Sequence, residues 1–311
     1  MTPMPSTLTA DPATDARPGR LRAIWKALRP HQWAKNGLVF LPLIMAHRTG
    51  ETALLLDALL AFAAMSLCAS GTYVVNDLVD RERDRHHPTK RNRPFASGAL
   101  SAGTGYALAP LLVGGAFALA LLTLPGLFAV VLGIYLVTTL AYSFVLKRQP
   151  AMDVVVLAGL YALRVLAGAA ATWVPISEWL LAFSLFFFLS LALLKRYAEL
   201  RLMETDLEAR HNGRGYTVED VAMLRGLGPA SGFMSVLVLA LYITNPEVAE
   251  LYTHPNRLWL VTPLLLYWTM HMWLTAHRRS MPDDPVLYTL KDPVSWGVGV
   301  LTGVVLTLAS L

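Results

Sequence analysis

The sequence has little charge and a single cysteine. Only 15% of its 311 residues are Asp, Glu, Lys or Arg, whereas 55% are hydrophobic, and the mean hydropathy is +0.48. One soluble domain cannot bury this much apolar surface, so a soluble globular protein is excluded. The lone cysteine, Cys68, lies in an apolar run, which excludes a disulfide framework and a cysteine-based metal cluster.

The hydrophobic residues are gathered into long runs. Each run is close to the roughly 20 residues that a helix needs to cross a bilayer, so the sequence predicts an all-α polytopic membrane protein. The nine predicted spans are 34–47, 53–75, 104–122, 125–145, 154–173, 179–194, 226–243, 258–276 and 294–311. The first is the shortest and contains Lys35 and Asn36, which is compatible with a tilted or partly immersed segment.

The N-terminal residues 1–20 have no hydrophobic period and lack the apolar core of a cleavable signal peptide. We predict a disordered tail over these residues. A short basic amphipathic stretch follows at 21–30. The remainder, 21–311, is predicted to form one transmembrane catalytic domain, because no internal repeat or linker indicates a second one.

The basic residues are distributed asymmetrically across the predicted spans. All but three of the 26 Lys and Arg residues fall on one side, the exceptions being Arg48, Arg164 and Arg257. Cytoplasmic loops carry such an excess, so the N-terminus is predicted to be cytoplasmic and the C-terminus extracytoplasmic, in the plasma membrane. This pattern explains the pI near 9.4 without nucleic acid as a partner. The long, charged connections are cytoplasmic, so we expect any chemistry at that face.

A cluster of carboxylates follows the second span, in the stretch NDLVDRERD at 76–84. A continuous helix would place Asp77, Asp80 and Asp84 within roughly a 60° arc, with Asn76 one turn before Asp80. Like charges at these spacings repel, and Mg²⁺ accepts such oxygen ligands together with substrate phosphates. We therefore predict a Mg²⁺ site with the three aspartates as catalytic metal ligands and Asn76 as a further ligand. The alternative is a solvated interfacial helix whose arginines balance the acids.

A basic run held by two prolines follows directly, and it includes Lys90, Arg91 and Arg93. Beside a metal ion, such residues suit a diphosphate, because the metal binds some of its oxygens and the cations neutralise the rest. Basic residues next to a membrane also fix topology or contact anionic lipid, which is the alternative interpretation.

The Asn-Asp-x-x-Asp-x-x-x-Asp motif after the second of nine helices resembles the first Asp-rich motif of the UbiA superfamily of intramembrane prenyltransferases. Further stretches resemble its decaprenyl-phosphate phosphoribosyltransferase branch, the decaprenylphosphoryl-5-phosphoribose synthases. These stretches are RPHQWAKN at 29–36, HPTKRNRP at 87–94, Tyr142-Ser143 with Lys147, LKRYAEL at 194–200, and Asp283-Asp284-Pro285 through Lys291-Asp292. The resemblance covers about residues 25–311.

The resemblance implies a UbiA-type bundle with a cytoplasmic-facing active site. It also implies Mg²⁺-dependent transfer of 5-phosphoribose from phosphoribosyl diphosphate to decaprenyl or another polyprenyl phosphate, with release of diphosphate. The product, decaprenylphosphoryl-5-phosphoribose, would serve the synthesis of the arabinose donor for cell-wall arabinan. Membrane lipids and the two substrates are the expected partners. The lipid chain length, the final glycan and a homo-oligomeric state are left open.

The loop after the sixth span departs from the pattern of aromatic prenyltransferases. Those enzymes usually carry a second Asp-x-x-x-Asp motif, whereas this chain has KRYAE at 195–199 and then Asp206. The bases Lys195 and Arg196 fit a substrate with an additional phosphate better than an aromatic acceptor. Glu199 remains as an acid, and whether a second metal binds is left open.

Several other polar residues are candidates for binding the substrate. Those expected to orient phosphates are Lys35, Asn36, Tyr142, Lys147, Lys195 and Arg196. Asp153 and Arg164 lie three helical turns apart in the fifth span, and ionisable groups there are costly and commonly functional. We predict that Arg164 contacts phosphate or anchors the cavity, with a structural ion pair as the alternative. The roles of Asp283 and Asp284 stay open.

Two other functions fit parts of the sequence. A UbiA-type prenyltransferase would use the same aspartates to move a polyprenyl group from its diphosphate to an aromatic or other small acceptor. A second acidic motif after the sixth span would have favoured that reaction. A transporter would show broken or polar helices near the middle of the membrane, whereas the ionisable residues here gather at one face, with Arg164 as the main exception.

Overall fold

The computed structural model describes residues 19–86, 90–203, 215–278, 281 and 284–311. Over these ranges the chain is helical and contains no β-strand, which confirms the predicted all-α class. Of the predicted N-terminal tail, residues 1–18 lie outside the described chain, while Gly19 caps a helix that begins at Arg20.

The α-helices are numbered in chain order. They are α1 (Arg20–Leu28), α2 (Leu41–Met45), α3 (Thr52–Val79), α4 (Arg81–Arg85), α5 (Ala102–Thr123), α6 (Gly126–Phe144), α7 (Met152–Thr172), α8 (Glu178–Met203), α9 (Val221–Thr244), α10 (Pro246–Ala249), α11 (Val261–His277), α12 (Pro285–Thr289) and α13 (Pro293–Ser310). Short 3₁₀ helices cover Pro30–Phe40, Lys90–Asn92, Leu146–Arg148, Val218–Asp220 and Pro255–Leu260.

Seven helices of the described chain, α3, α5, α6, α7, α8, α9 and α13, are long and apolar enough to cross a membrane. The predicted span 34–47 is instead the 3₁₀ helix Pro30–Phe40 followed by the short α2. The predicted span 258–276 begins in the 3₁₀ helix Pro255–Leu260 and continues as α11, which has 17 residues. The count of nine spans and the orientation of the termini therefore stay predictions.

Helix α3 forms the centre of the first half of the bundle, where it packs against α5, α6 and α7. Its buried positions include the small residues Ala58, Ala61, Ala64 and Gly71. A Cβ at Gly71 would lie 3.2 Å from the carbonyl oxygen of Ala109 in α5, so the two helices approach closely there. Small residues allow such contacts in membrane proteins, where packing rather than water exclusion joins the helices.

The 3₁₀ helix Pro30–Phe40 is held against α7 by two residues one turn apart. Gly168 contacts its backbone so closely that an added Cβ would lie 2.0 Å from the carbonyl oxygen of Val39. Arg164, four residues earlier, donates a hydrogen bond to the side chain of Asn36 at 2.9 Å. The segment that carries Lys35 is therefore fixed on the bundle by α7.

The variant Gly168→Ala is expected to destabilise the protein by about 1–3 kcal/mol, because its methyl group overlaps a backbone carbonyl that cannot rotate away. Thermal unfolding in detergent measures this as a lower midpoint. Gly159→Ala in the same helix is the control, because a Cβ there meets nothing within 4 Å. Equal midpoints for the two variants would contradict the close contact with Val39.

Candidate active site

The Asp-rich segment 76–84 lies at the junction of α3 and α4. Asp80 caps α3, so the helix is not continuous across the segment. The backbone N–H groups of Asp80 and Asp84 nevertheless donate to the carbonyls four residues earlier, at 2.9 and 2.8 Å. This spacing brings Asp77 and Asp84 to the same side of the junction, and both are buried.

Arg93 joins two of the aspartates. Its Nη1 lies 3.2 Å from Oδ1 of Asp77 and 2.6 Å from Oδ2 of Asp84. Arg29, which follows α1, also donates to Oδ1 of Asp77 at 2.5 Å. The two buried carboxylates therefore face a common positive charge.

Asp80 has a different partner. Its Oδ2 accepts from Nζ of Lys147 at 3.2 Å, and its Oδ1 lies 3.9 Å from Arg83. Within the described ranges, no three Asp, Glu, His or Cys side chains are arranged to hold a metal ion. The pair Asp77 and Asp84 does fit a divalent cation, because both already turn oxygen atoms, which Mg²⁺ prefers, toward one cationic centre.

Arg93 of the predicted basic run contacts the aspartates. Lys90 and Arg91 belong to the 3₁₀ helix Lys90–Asn92, and Arg91 is exposed. Residues 87–89 lie outside the described chain. The prediction that Arg91 binds substrate therefore has no contact with the aspartates to support it.

Lys35 and Asp284 form an ion pair that the sequence did not predict. Nζ of Lys35 lies 2.5 Å from Oδ2 of Asp284, while Oδ1 accepts from the backbone N–H groups of Val286 and Leu287 and caps α12. Burial raises the pKa of the Asp284 carboxyl, but the charges of Lys35 and Lys195 and the hydrogen bonds from Lys35 and Leu287 together lower it below the ordinary value. An Asp directly before a Pro is a signature of a helix start, and this signal could have located the cap.

The pKa of His31, near this pair, is lowered by burial and, to a smaller extent, by the charges of Arg29 and Lys35, while Asp284 opposes the shift. Clustered basic side chains of this kind attract phosphate groups.

The depressed pKa of Asp284 predicts a pH dependence of stability. Such a carboxyl stabilises the fold above its unfolded pKa, and this contribution is lost as the pH falls through the folded pKa. Below about pH 4, the unfolding midpoint in detergent should therefore fall more steeply for wild type than for Asp284→Asn, whose amide does not titrate. Glu219→Gln, which removes an exposed carboxylate, should follow wild type. Parallel curves for wild type and Asp284→Asn would contradict the Lys35 ion pair.

The residues predicted to bind substrate in α6 and α8 meet in a buried network. Arg196 is fully buried, donates to Oδ2 of Asp153 at 2.5 Å, and forms a second ion pair with Glu199. It also donates to the hydroxyl of Tyr142 at 3.1 Å, while Tyr216 donates to Oδ1 of Asp153 at 2.7 Å. The side chain of Arg196 is 1% exposed, against 25% for Arg93, so burial between two carboxylates favours a structural role for Arg196. Asp206 lies outside the described residues.

Arg164 does not pair with Asp153, which is taken by Arg196. It donates to Oδ1 of Asn36 at 2.9 Å and to the hydroxyl of Tyr135 at 3.0 Å. Its guanidinium also lies over the rings of Tyr135 and Tyr161, at 5.0 and 5.3 Å from their centres. No ion pair of Arg164 occurs in the described part of the chain. The structure therefore favours an anchoring role over the predicted alternative of an ion pair.

Comparison with known proteins decides the family. The family model described as the UbiA prenyltransferase family matches residues 38–290 of this chain. The chain belongs to the UbiA prenyltransferase family. This confirms the predicted family and indicates a membrane-embedded transferase.

Relatives of this UbiA family member carry different names. Protein y4nM of Sinorhizobium fredii is 37% identical over 88% of this chain and 53% of its own length, so the chain spans about half of that relative. Nodulation protein NoeC of Azorhizobium caulinodans is 36% identical over 86% of each chain. Decaprenyl-phosphate phosphoribosyltransferase of Mycobacterium tuberculosis is 38% identical over 68% of this chain and 71% of that protein.

Solved structures share the fold of this family member. A UbiA homolog from Archaeoglobus fulgidus, bound to DMAPP and Mg²⁺, has a TM-score of 0.64 and 16% identity, covering 92% of this chain and 96% of that one. A digeranylgeranylglyceryl phosphate synthase structure has a TM-score of 0.62 and 15% identity, covering 93% and 96%. These similarities establish the UbiA fold.

Proposed function

We propose that this UbiA family member transfers 5-phosphoribose from phosphoribosyl diphosphate to a polyprenyl phosphate such as decaprenyl phosphate. Basic side chains from separate segments meet at two places, the aspartates of segment 76–84 and Asp284, and this arrangement supports the proposal. These side chains are Arg29, Lys35, Arg93, Lys147 and Lys195. A donor with a diphosphate and a further phosphate, together with an acceptor phosphate, gives each of these cations an anionic partner.

The aspartates and their arginines would bind the diphosphate of the donor. Asp77 and Asp84, with Asp80 and Asn76 beside them, are the residues that would hold Mg²⁺. When bound, Mg²⁺ neutralises the diphosphate and improves it as a leaving group. Arg93, which contacts both aspartates, would neutralise diphosphate oxygens of the donor.

The other cations would orient the remaining phosphates. Lys35 and Lys195 lie on the Asp284 side of the site, where they can bind the 5-phosphate or the phosphate of the lipid. The bond from C1 of ribose to the diphosphate oxygen breaks, and an oxygen of the lipid phosphate forms the new bond to C1. That phosphate is already an anionic nucleophile, so the reaction requires no strong general base.

Asn36, Arg164, Tyr142, Arg196 and Glu199 would act on the substrate indirectly. Asn36 and Arg164 fix the 3₁₀ helix that carries Lys35, whereas Tyr142, Arg196 and Glu199 form the buried network next to Lys195. In the cell, we assign the site to the cytoplasmic face of the plasma membrane and the product to the synthesis of the arabinose donor for cell-wall arabinan.

A second candidate is transfer of a polyprenyl group from its diphosphate to an aromatic or other small acceptor. The observation that favours it is the shared fold with UbiA homologs bound to DMAPP or GPP and Mg²⁺. That reaction uses the same aspartates. It gives no role to Lys35 and Lys195 as ligands of a further phosphate.

Two parallel turnover assays of the purified protein distinguish these reactions. One contains radiolabelled phosphoribosyl diphosphate and polyprenyl phosphate, and the other contains polyprenyl diphosphate and 4-hydroxybenzoate. We expect label in the lipid fraction of the first assay when Mg²⁺ is present, and none with a chelator. A prenylated aromatic product in the second assay, without transfer in the first, would overturn the proposal.

Substitution of the paired aspartates tests their assignment. Asp77→Asn and Asp84→Asn should each lower turnover by about 100-fold or more, since loss of a group that merely supports a metal ligand already costs about 10–100-fold. Asp57→Asn, near the other end of α3, is the matched control and should keep wild-type turnover. Wild-type turnover in either site variant would remove that residue from the metal-binding set.

A further inference from the structure

A basic groove separates α1 from the segment that carries Arg93. The cavity has a volume of about 360 Å³ and is lined by Arg22, Ala23, Lys26, Asn92, Pro94 and Ala99. Nζ of Lys26 donates to the backbone carbonyl of Asn92 at 2.8 Å, so a hydrogen bond joins the two sides of the groove. The lining contains two cations and no carboxylate, and neither cation forms an ion pair within the described chain.

Helix α1 presents three different faces. Ala23 and Ala27 are buried and pack in one apolar cluster with Phe95. Leu21 and Trp25 are 84% and 58% exposed. Since successive residues of a helix are about 100° apart, the stripe of Arg22 and Lys26 lies directly beside the stripe of Leu21 and Trp25.

These two stripes match the two parts of an anionic lipid. A phosphate head requires cationic donors, which Arg22 and Lys26 supply inside the groove. A hydrocarbon tail requires apolar surface, which Leu21 and Trp25 supply outside it. An amphipathic helix with basic residues next to exposed Leu and Trp is typical of a helix that lies in the membrane interface.

We propose that the groove between α1 and residues 92–99 binds the phosphate head of a membrane lipid that ends in a phosphate monoester, with its tail leaving over Leu21 and Trp25. A free sugar phosphate would leave that apolar stripe unused. A lipid is therefore the ligand that would contact both the basic and the apolar stripe of α1.

The groove lies beside residues of the candidate active site. Asn92 and Pro94 flank Arg93, which contacts Asp77 and Asp84, and the same helix α1 leads directly into Arg29. A lipid phosphate in the groove therefore lies next to the candidate active site. The binding of a lipid phosphate in the groove is independent of the proposed function. The further identification of this lipid as the polyprenyl phosphate acceptor, bound before it enters the active site, rests on the proposed function.

The test is direct binding of undecaprenyl phosphate to the full-length protein in detergent, measured by native mass spectrometry, with neutral undecaprenol as the comparison lipid. The double variant Arg22→Gln/Lys26→Gln should bind undecaprenyl phosphate about tenfold or more weakly, because basic residues at a membrane surface attract anionic head groups. Binding of undecaprenol should not change. The variant Lys26→Arg, which keeps the charge, should bind like wild type.

The matched control is Arg20→Gln/Arg225→Gln, which removes two exposed basic residues outside the groove and should bind like wild type. Equal binding of undecaprenyl phosphate by wild type and the groove variant would overturn the proposal. So would displacement of the lipid by an equimolar amount of ribose 5-phosphate, because the tail would then contribute nothing. The assay requires no turnover, so its failure is distinct from failure of the proposed reaction.

Discussion

The candidate site depends on one interaction, in which the guanidinium of Arg93 contacts both Asp77 and Asp84. Asp77 and Asp84 are buried at the junction of α3 and α4, and two buried carboxylates that face one point repel unless a cation lies between them. Arg93 supplies that cation, and Arg29 supports it at Asp77. The pairing balances the charge of the two carboxylates and holds their side chains in place.

Away from the aspartates, buried charge is balanced in two different ways. Arg196 lies between Asp153 and Glu199, so carboxylates neutralise it. Arg164 relies on neutral oxygen acceptors and on the rings of two tyrosines, and a guanidinium within a membrane helix is costly without such partners. Both arginines stiffen the bundle beside Lys35 and Lys195, the cations we assign to the substrate phosphates.

Much of the architecture could be predicted because a long apolar run in a bilayer must satisfy its backbone as a helix. Seven of the nine predicted spans are such helices, whereas 34–47, with Lys35, Asn36 and Pro42, forms a 3₁₀ segment and a short helix. Helical periodicity also predicted that Asp77, Asp80 and Asp84 share one face, and the structure brings Asp77 and Asp84 together through Arg93. Periodicity could not show that Asp80 turns to Lys147 or that Lys35 meets Asp284, because these partners are 67 and 249 residues apart.

We propose that Asp77 and Asp84 exchange Arg93 for a divalent ion when phosphoribosyl diphosphate binds. Electron paramagnetic resonance of Mn²⁺, used as a substitute for Mg²⁺, measures this directly on the purified protein with phosphoribosyl diphosphate. We expect tightly bound Mn²⁺ in wild type only when the donor is present, and its loss in Asp77→Asn and in Asp84→Asn. Equal Mn²⁺ binding by wild type and both variants would contradict the account.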